Sequence, residues 1–535
     1  MVTYRLMKRC PACGRSYSDQ ALKFCRFDRV TLVDDGAPLG DTDETVDLAL
    51  AQPLAETSRD IARGLTGQTV PPSIAVLPFV NMSTDQDNEY FCDGLAEELL
   101  NALAQLDGLK VAARTSSFYF KNKDTTIDQI GKALNVNTVL EGSVRKLGDR
   151  VRVTAQLINV ADGYHLWSAR YDRKLEDVFD IQDQVTLTIV DALRLKLLGS
   201  ASTSRLKRQT SNNEAYVAYL KGRYYLAKFS VEGWSRAIEY FDEAIRSDPE
   251  YAPAYAGAAF ACSARWYYAL EPPNDIVPKW KALANRALEI DGNLSEAHAS
   301  LGNIQLFYEW DWTAAEQSYQ KAIELNQNNA DARWFYGMGL ASHGRYDEAI
   351  NQAQRALELD PLSLLINVQV GWIYWLADRM DDVIAQAKKI LDLEPNSFGA
   401  YWLIGGAYLA KQMNDEAIES YHKSVSLGGS NIVLSALGRA YGIVGRRDDA
   451  LGILDRVLAM RKDRYVPAFD IARIYLGLGD VDHTFEWLEK AFEERNGELV
   501  FLERLTRVDS GLATDKKIRE DSRLSEMLKR VVTAL

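Results

Sequence analysis

The chain has 535 residues, 47% apolar and 26% charged, with a formal net charge of −13. That length exceeds one ordinary core and implies roughly two to four domains, while an acidic surface repels phosphate and disfavours nucleic-acid binding over the protein as a whole. No run approaches the roughly 18 unbroken apolar residues of a membrane-spanning helix, and no apolar segment follows the basic N-terminus as a secretory signal would require.

The first element is CPACGRSYSDQALKFCRFD, residues 10–28. Cys10 and Cys13 flank two residues, eleven more separate Cys13 from Cys25, and Asp28 stands where a fourth cysteine would complete a zinc site. With no histidine nearby, the fourth ligand is Asp28 or water. A segment of about 30 residues has no other means of folding, being too small for a self-sufficient core. A redox CxxC pair is one alternative, but its usual βαβ setting is absent; a degenerate, metal-free motif is the other. The motif resembles short zinc ribbons ending in FCxxDG that open many bacterial regulatory proteins, with Arg29 replacing the glycine. The resemblance implies a structural zinc held by Cys10, Cys13, Cys25 and Asp28, and places the natural start at Met7. Only five cysteines are present, the others being Cys92 and Cys262; they are too scattered for a disulfide framework, so a reducing cytoplasm is expected. Residues 1–30 hold seven Lys/Arg (Arg5, Lys8, Arg9, Arg15, Lys23, Arg26, Arg29) against two acids, whereas 31–72 hold eight acids against two arginines. The second stretch reads as an acidic linker.

Residues 73–200 read as an α/β domain. SIAVLPF is a short apolar run bounded by turn residues, which predicts a buried strand. FCDGLAEELLNALAQL has helical spacing at Leu95, Leu99, Leu100 and Leu103; LKVAAR is strand-like and IDQIGKALN a short helix. In RVRVTAQLINV, Val151, Val153, Ala155 and Leu157 alternate with polar residues, as in a half-buried strand. The turns KLGD and ADG make it the centre of a three-stranded meander. A helix, VFDIQDQVTLTIVDALRLKL, closes the unit. This string resembles the N-terminal domain of the TolB translocation protein, a module found beside helical repeats in bacterial signalling proteins. The resemblance implies a regulatory setting rather than a reaction. Relatives often carry a membrane helix just before this domain; residues 30–72 lack one.

After a linker at 201–212, the chain repeats itself. Ala315, Ala349, Val383, Ala417 and Ala450 recur at intervals of 34, 34, 34 and 33 residues. Seven positions on come Ala322, Ala356, Ile390, Ser424 and Val457, and upstream a glycine recurs at 302, 337, 371, 405 and 438. Small residues at fixed places let two antiparallel helices approach closely, and stacked hairpins bury what none buries alone. Pro361 and Pro395 stop the second helices. The pattern resembles the tetratricopeptide repeat, with eight hairpins over 213–496 once three less regular ones are counted; residues 497–535 read as a helical cap. In that family the first helix of each hairpin lines a concave groove. The resemblance therefore implies groove positions at Trp334, Met338, Trp372, Trp375 and Trp402, then Arg439 and Arg473. An extended segment with apolar anchors and an acidic or carboxyl end fits such a surface. The family's lysine–asparagine carboxylate clamp is not reproduced.

No phosphate-cradling loop occurs. The five histidines (His165, His298, His343, His422, His483) form no catalytic motif. Asp85, Asp87, Glu89 and Asp93 read as a solvated loop and a helix N-terminus; Cys92 and Cys262 read as small core residues. The chain is expected to be a multidomain, mostly α, non-enzymatic scaffold that binds proteins or peptide segments through its repeats. The alternatives are a nucleic-acid-associated regulator using the basic ribbon, and an accessory subunit of a separately encoded signalling enzyme.

Overall fold

The computed structural model describes residues 71–83, 89–106, 108–147, 150–174, 186–193, 210–507 and 513–532, and three short strands nearer the N-terminus. The chain divides into two compact units, 1–70 and 71–535. In the first, β1 (Lys8–Arg9) pairs antiparallel with β2 (Ser16–Tyr17) and with β3 (Val33–Asp34). Cys10, Cys13, Cys25 and Asp28 lie outside the described residues, as do Asp85 and Asp87.

The second unit begins with a mixed sheet in the order β6 (Lys110–Val111), β4 (Ser73–Val76), β7 (Thr138–Leu147), β8 (Arg150–Asn159), β9 (His165–Lys174). β4 (Ser73–Val76) is parallel to β6 (Lys110–Val111) and to β7 (Thr138–Leu147), and β5 (Val80–Asn81) pairs farther along β7. β7, β8 (Arg150–Asn159) and β9 (His165–Lys174) form the antiparallel meander, each ten residues long. All four residues of β4 are buried, because both faces of the sheet are covered. On one face, helix Glu89–Ala104 lays Leu95, Leu99, Leu100 and Leu103 against Val151, Val153, Ala155 and Leu157 of β8. On the other, helix Ile127–Leu134 packs Ile130 and Leu134 near Ala75 and Val139. A reciprocal Thr126–Gln129 capping box starts that helix, and Asn135 in the left-handed region ends it. A helix also covers 186–193.

The strand expected at LKVAAR is cut short. Ala112 still donates to Ile74 O in the sheet, but the Ala113 N–H turns to Leu359 O in the repeats, 2.8 Å away, and helix Arg114–Phe118 follows. A tertiary partner has taken the hydrogen bond that would have prolonged the ladder.

Sixteen helices from Asn213 to Glu493 pair in sequence as eight hairpins. Every recurring small position is fully buried: Ala315, Ala349, Val383, Ala417, Ala450, Ala322, Ala356, Ile390, Ser424 and Val457 all have 0% exposure. Ser424 satisfies its hydroxyl by donating to Phe398 O at 2.7 Å. The recurring glycine marks the closest approach. A Cβ on Gly405 would stand 2.8 Å from the Tyr421 ring on the facing helix. The helices before Pro361 and Pro395 end at Leu359 and Leu393.

After the eighth hairpin the chain turns back onto the repeats instead of simply capping them. A 3-10 turn (Gly497–Phe501) and a short helix (Leu502–Arg507) bury Leu499, Phe501 and Leu502. Phe501 meets Phe307 of the third hairpin and Trp372 of the fifth, at ring-centroid distances of 6.3 and 6.4 Å. Arg504 pairs with Asp378 at 3.2 Å. The first helices also meet one another: Gln369 donates to the Tyr267 hydroxyl, joining the fifth hairpin to the second.

The sheet domain is docked on the repeats by specific polar contacts. Asn328, in the turn between the third and fourth hairpins, accepts from Val111 N and donates to Ala104 O and Leu109 O, at 3.1, 3.1 and 3.2 Å. The Ser116 N–H donates to Asp360 Oδ1 at 2.9 Å and the Ser116 hydroxyl donates to the same oxygen at 2.5 Å. Glu97 pairs with Arg223 of the first hairpin.

Candidate functional site

Each residue expected to line the groove sits on the first helix of its hairpin, but the side chains divide into two groups. Trp334 and Met338, with 2% and 6% exposure, are core residues. The Trp334 indole N–H donates to Asp331 at 3.0 Å, and its ring lies edge-on to Tyr267 of the second hairpin. Because the first helices of hairpins two and five touch here, these two residues offer no surface, which corrects the groove expected from the sequence at two of its seven positions. Arg439 and Arg473 are also largely buried, with 7% and 8% exposure.

The remaining five residues come together. Trp372 is half-buried and stacks on Trp375 at 4.7 Å between ring centroids, nearly parallel, and on Trp402 at 5.1 Å. Together with Tyr421, Arg439 and Arg473 they line a pocket of about 50 Å³, the size of a single small polar group. Helical spacing explains the arrangement. Trp372 and Trp375 lie three apart on one face of helix Leu364–Leu376, and the next repeats place Trp402, Arg439 and Arg473 in line with them.

The chemistry of this pocket is one-sided. Among the described lining residues the polar side-chain groups are two guanidiniums and the indole N–H groups of Trp372, Trp375 and Trp402, all of which can only donate, and the phenol of Tyr421. Trp375 is 5% exposed and its N–H has no hydrogen-bond partner, a costly state for a buried donor. Gly406 leaves that edge open, since a Cβ there would stand 3.4 Å from the indole nitrogen. Burial pushes the Tyr421 phenol up to about 12 although Arg439 and Arg473 pull it down, so the hydroxyl keeps its proton at neutral pH. From behind, Arg473 donates to Ser435 at 2.9 Å and to Asp470 at 3.2 Å, and pairs with Glu498. Burial raises the Asp470 carboxyl against the pull of Arg473. The acids that fix Arg473 do not themselves line the pocket. Such a cavity suits an acceptor, a carboxylate above all, flanked by apolar groups.

Tyr421 and Gly406 are additions to the site that the first-helix pattern does not reveal: Tyr421 comes from a second helix, and Gly406 stands beside the recurring Gly405. Of the acids near the start of the sheet domain, Glu89 and Asp93 are structural: Lys121 pairs with Glu89 at 2.6 Å and with buried Asp93 at 2.7 Å. Cys92 and Cys262 are buried, and burial pushes their thiols up to about 12 and about 11, which makes both inert. His165 is exposed at the start of β9. Among the described residues no cluster of metal-ligating side chains occurs, and no helix is long and apolar enough to cross a membrane.

Comparison with known families agrees with the hairpins: tetratricopeptide repeat models match residues 306–363, 398–427 and 433–464. Residues 70–188 are matched by the model for the second domain of HilA/YgeH-like transcriptional regulators, where the sequence suggests a TolB-like domain. Among curated proteins, the chain is 38% identical over 234 residues to putative adenylate cyclase 3 of Rhizobium meliloti (strain 1021), covering 43% of this chain and 39% of that protein. It is 22% identical over 160 residues to the transcriptional regulator HilA of Salmonella typhimurium, covering 30% of this chain and 29% of that one. The chain thus spans well under half the length of either relative. Similar solved structures include YrrB, a tetratricopeptide repeat protein with an unusual peptide-binding site (22% identity, 36% of this chain and 93% of that one, TM-score 0.26), and Pseudomonas aeruginosa pilF (21% identity, 40% and 92%, TM-score 0.31).

Proposed function

We propose that the chain is a non-enzymatic regulatory scaffold of the cytoplasm whose tetratricopeptide repeats bind a partner segment at the tryptophan–arginine pocket. The observation that carries this reading is the pocket's excess of donors, with the Trp375 N–H unanswered beside Arg439 and Arg473. The ligand is a segment with an acidic side chain or chain-terminal carboxylate next to an apolar residue, the carboxylate taking the donors and the apolar group the face of Trp372 or Trp402. A pull-down comparing wild type with a Trp372→Ala, Trp402→Ala double variant tests it. Partners retained by a stably folded double variant refute it.

A regulatory setting is favoured by the relatives, one bearing the name of a cyclase and the other that of a transcriptional regulator. Both share with this chain a segment much shorter than themselves, as expected if the shared part is an interaction module and not the effector. That favours, as a second reading, an accessory subunit acting on a separately encoded signalling enzyme. The N-terminal motif is proposed to hold a structural zinc through Cys10, Cys13 and Cys25, with Asp28 or water fourth. DNA or RNA binding by its basic residues would show as a steep salt dependence.

A further inference from the structure

A second and larger cavity, of about 460 Å³, lies where the sheet domain rests on the repeats. Helix Glu89–Ala104 and Arg114 form one wall. The starts of the first helices of the third, fourth and fifth hairpins form another, and Tyr219 and Phe260 supply aromatic surface. This volume falls within the range of small-molecule sites and far exceeds a single ion.

Charge in the lining is unbalanced. Among the described lining residues five carboxylates (Glu97, Glu98, Glu296, Asp331, Asp360) meet two guanidiniums, Arg114 and Arg223. Both guanidiniums are committed to Glu97: Arg114 Nε stands 3.1 Å from Oε2, and Arg223 pairs with Oε1. Burial opposes ionisation of Glu97, yet the two arginines together hold its carboxyl below the usual range. Asp360 is held by Ser116. Asp331 accepts the Trp334 indole N–H, and burial raises its carboxyl, with the charge of Glu296 adding to the effect. The positive ends of the helices facing the cavity are partly answered by their own caps, Asn329 accepting from Ala332 N and Ser363 from Ile366 N. Among the described residues an anion therefore finds no uncommitted cation here. Independently of the acids, the Thr186 hydroxyl, 7% exposed and without a partner, opens on the same cavity.

We propose that this junction cavity binds a small organic amine, its ammonium against Asp331 and Glu296, its carbon skeleton against Tyr219 and Phe260, and the Thr186 hydroxyl as a further contact. The charge of Arg223 reaches both acids but is bonded to Glu97; an ammonium adds a cation of their own, and aromatic faces attract it further. Because both domains wall the cavity, a bound amine stabilises their docking by mass action. The site would then be an input by which a metabolite sets the rigidity of the scaffold.

The test is calorimetric titration of the full chain with putrescine, spermidine and choline in about 0.15 M salt, which suppresses loose attraction of polyamines to an acidic surface. Magnesium and citrate serve as an inorganic cation and an anion. Saturable binding of at least one amine is expected, weakened more than about tenfold in a Glu296→Gln, Asp331→Asn double variant. Should that variant not fold, Ala256→Leu narrows the cavity without touching a charge and should weaken binding. Trp372→Ala, in the other pocket, should leave it unchanged. Absence of saturable amine binding, citrate binding in its place, magnesium binding that excludes the amines, or full affinity in the Ala256→Leu variant would each overturn the proposal.

Discussion

Replacing Asn328 by alanine should undock the sheet domain locally while leaving the repeats folded. The side chain makes three hydrogen bonds to main-chain groups of the other domain, with Val111 N, Ala104 O and Leu109 O. At a net value of about 1 kcal/mol each, their loss costs about 3 kcal/mol. Val111 is 1% exposed, so its stranded N–H sets the cost at or above that figure. Three kcal/mol is about a hundredfold in an opening equilibrium. Hydrogen exchange is the assay: the Val111 amide, and peptides covering 104–112, should exchange on that order faster in the variant. Of the eleven tryptophans, ten lie in the repeats and only Trp167 in the sheet domain, so the fluorescence-detected midpoint in denaturant should move little. Asn328→Asp is the sharper control. It keeps the acceptor for Val111 but sets a carboxylate oxygen against two carbonyls, and should be no better than alanine. Exchange at Val111 within about twofold of wild type in both variants would refute the role given to Asn328.

Asp360 predicts a pH dependence of the same interface. Burial raises its carboxyl from 3.8 to about 7 against the hydrogen bonds of Ser116, so the folded state holds the proton more tightly than the unfolded chain. Its contribution is fully present below about pH 4 and is lost as pH rises toward 7, by at most about 4 kcal/mol. Asp360→Asn should flatten that slope, and a docking stability that rises over this range in wild type would contradict it. Gly405→Ala forces a Cβ to within 2.8 Å of the Tyr421 ring and should cost about 1–3 kcal/mol by denaturant titration; an unchanged midpoint would mean that the helices have room to part. Gly406→Leu covers the free edge of Trp375 and should abolish partner capture while the protein stays folded, as judged by circular dichroism; capture at wild-type level would move the binding site elsewhere. Cys13→Ser should remove the roughly one zinc per chain expected from elemental analysis, and zinc-free wild type with an ordered N-terminus would end the metal reading.

The local periodicities were legible because they follow from short-range geometry. A small residue every 34 positions, a glycine upstream and a proline after the second helix can be satisfied by few structures besides stacked helical hairpins. The alternation in RVRVTAQL likewise dictates a half-buried strand, and Val151, Val153, Ala155 and Leu157 are all buried in β8. What failed to show was every contact between segments far apart in the chain. Ala113 leaves the sheet because Leu359 O, 246 residues away in sequence, takes its hydrogen bond. Asn328 reads as an ordinary turn residue and becomes a clasp only when a strand end arrives beside it. Trp334 and Trp402 occupy equivalent first-helix positions, each three residues before the recurring glycine, yet one is core and the other lines a pocket. The difference is made by Tyr267, brought in from the second hairpin to lie edge-on against Trp334. The sequence by itself determined which elements form and which of their faces are apolar, because those depend on neighbours three to thirty-four residues away. Only the tertiary structure decided which apolar faces remain open, because that depends on which distant segment reaches them first.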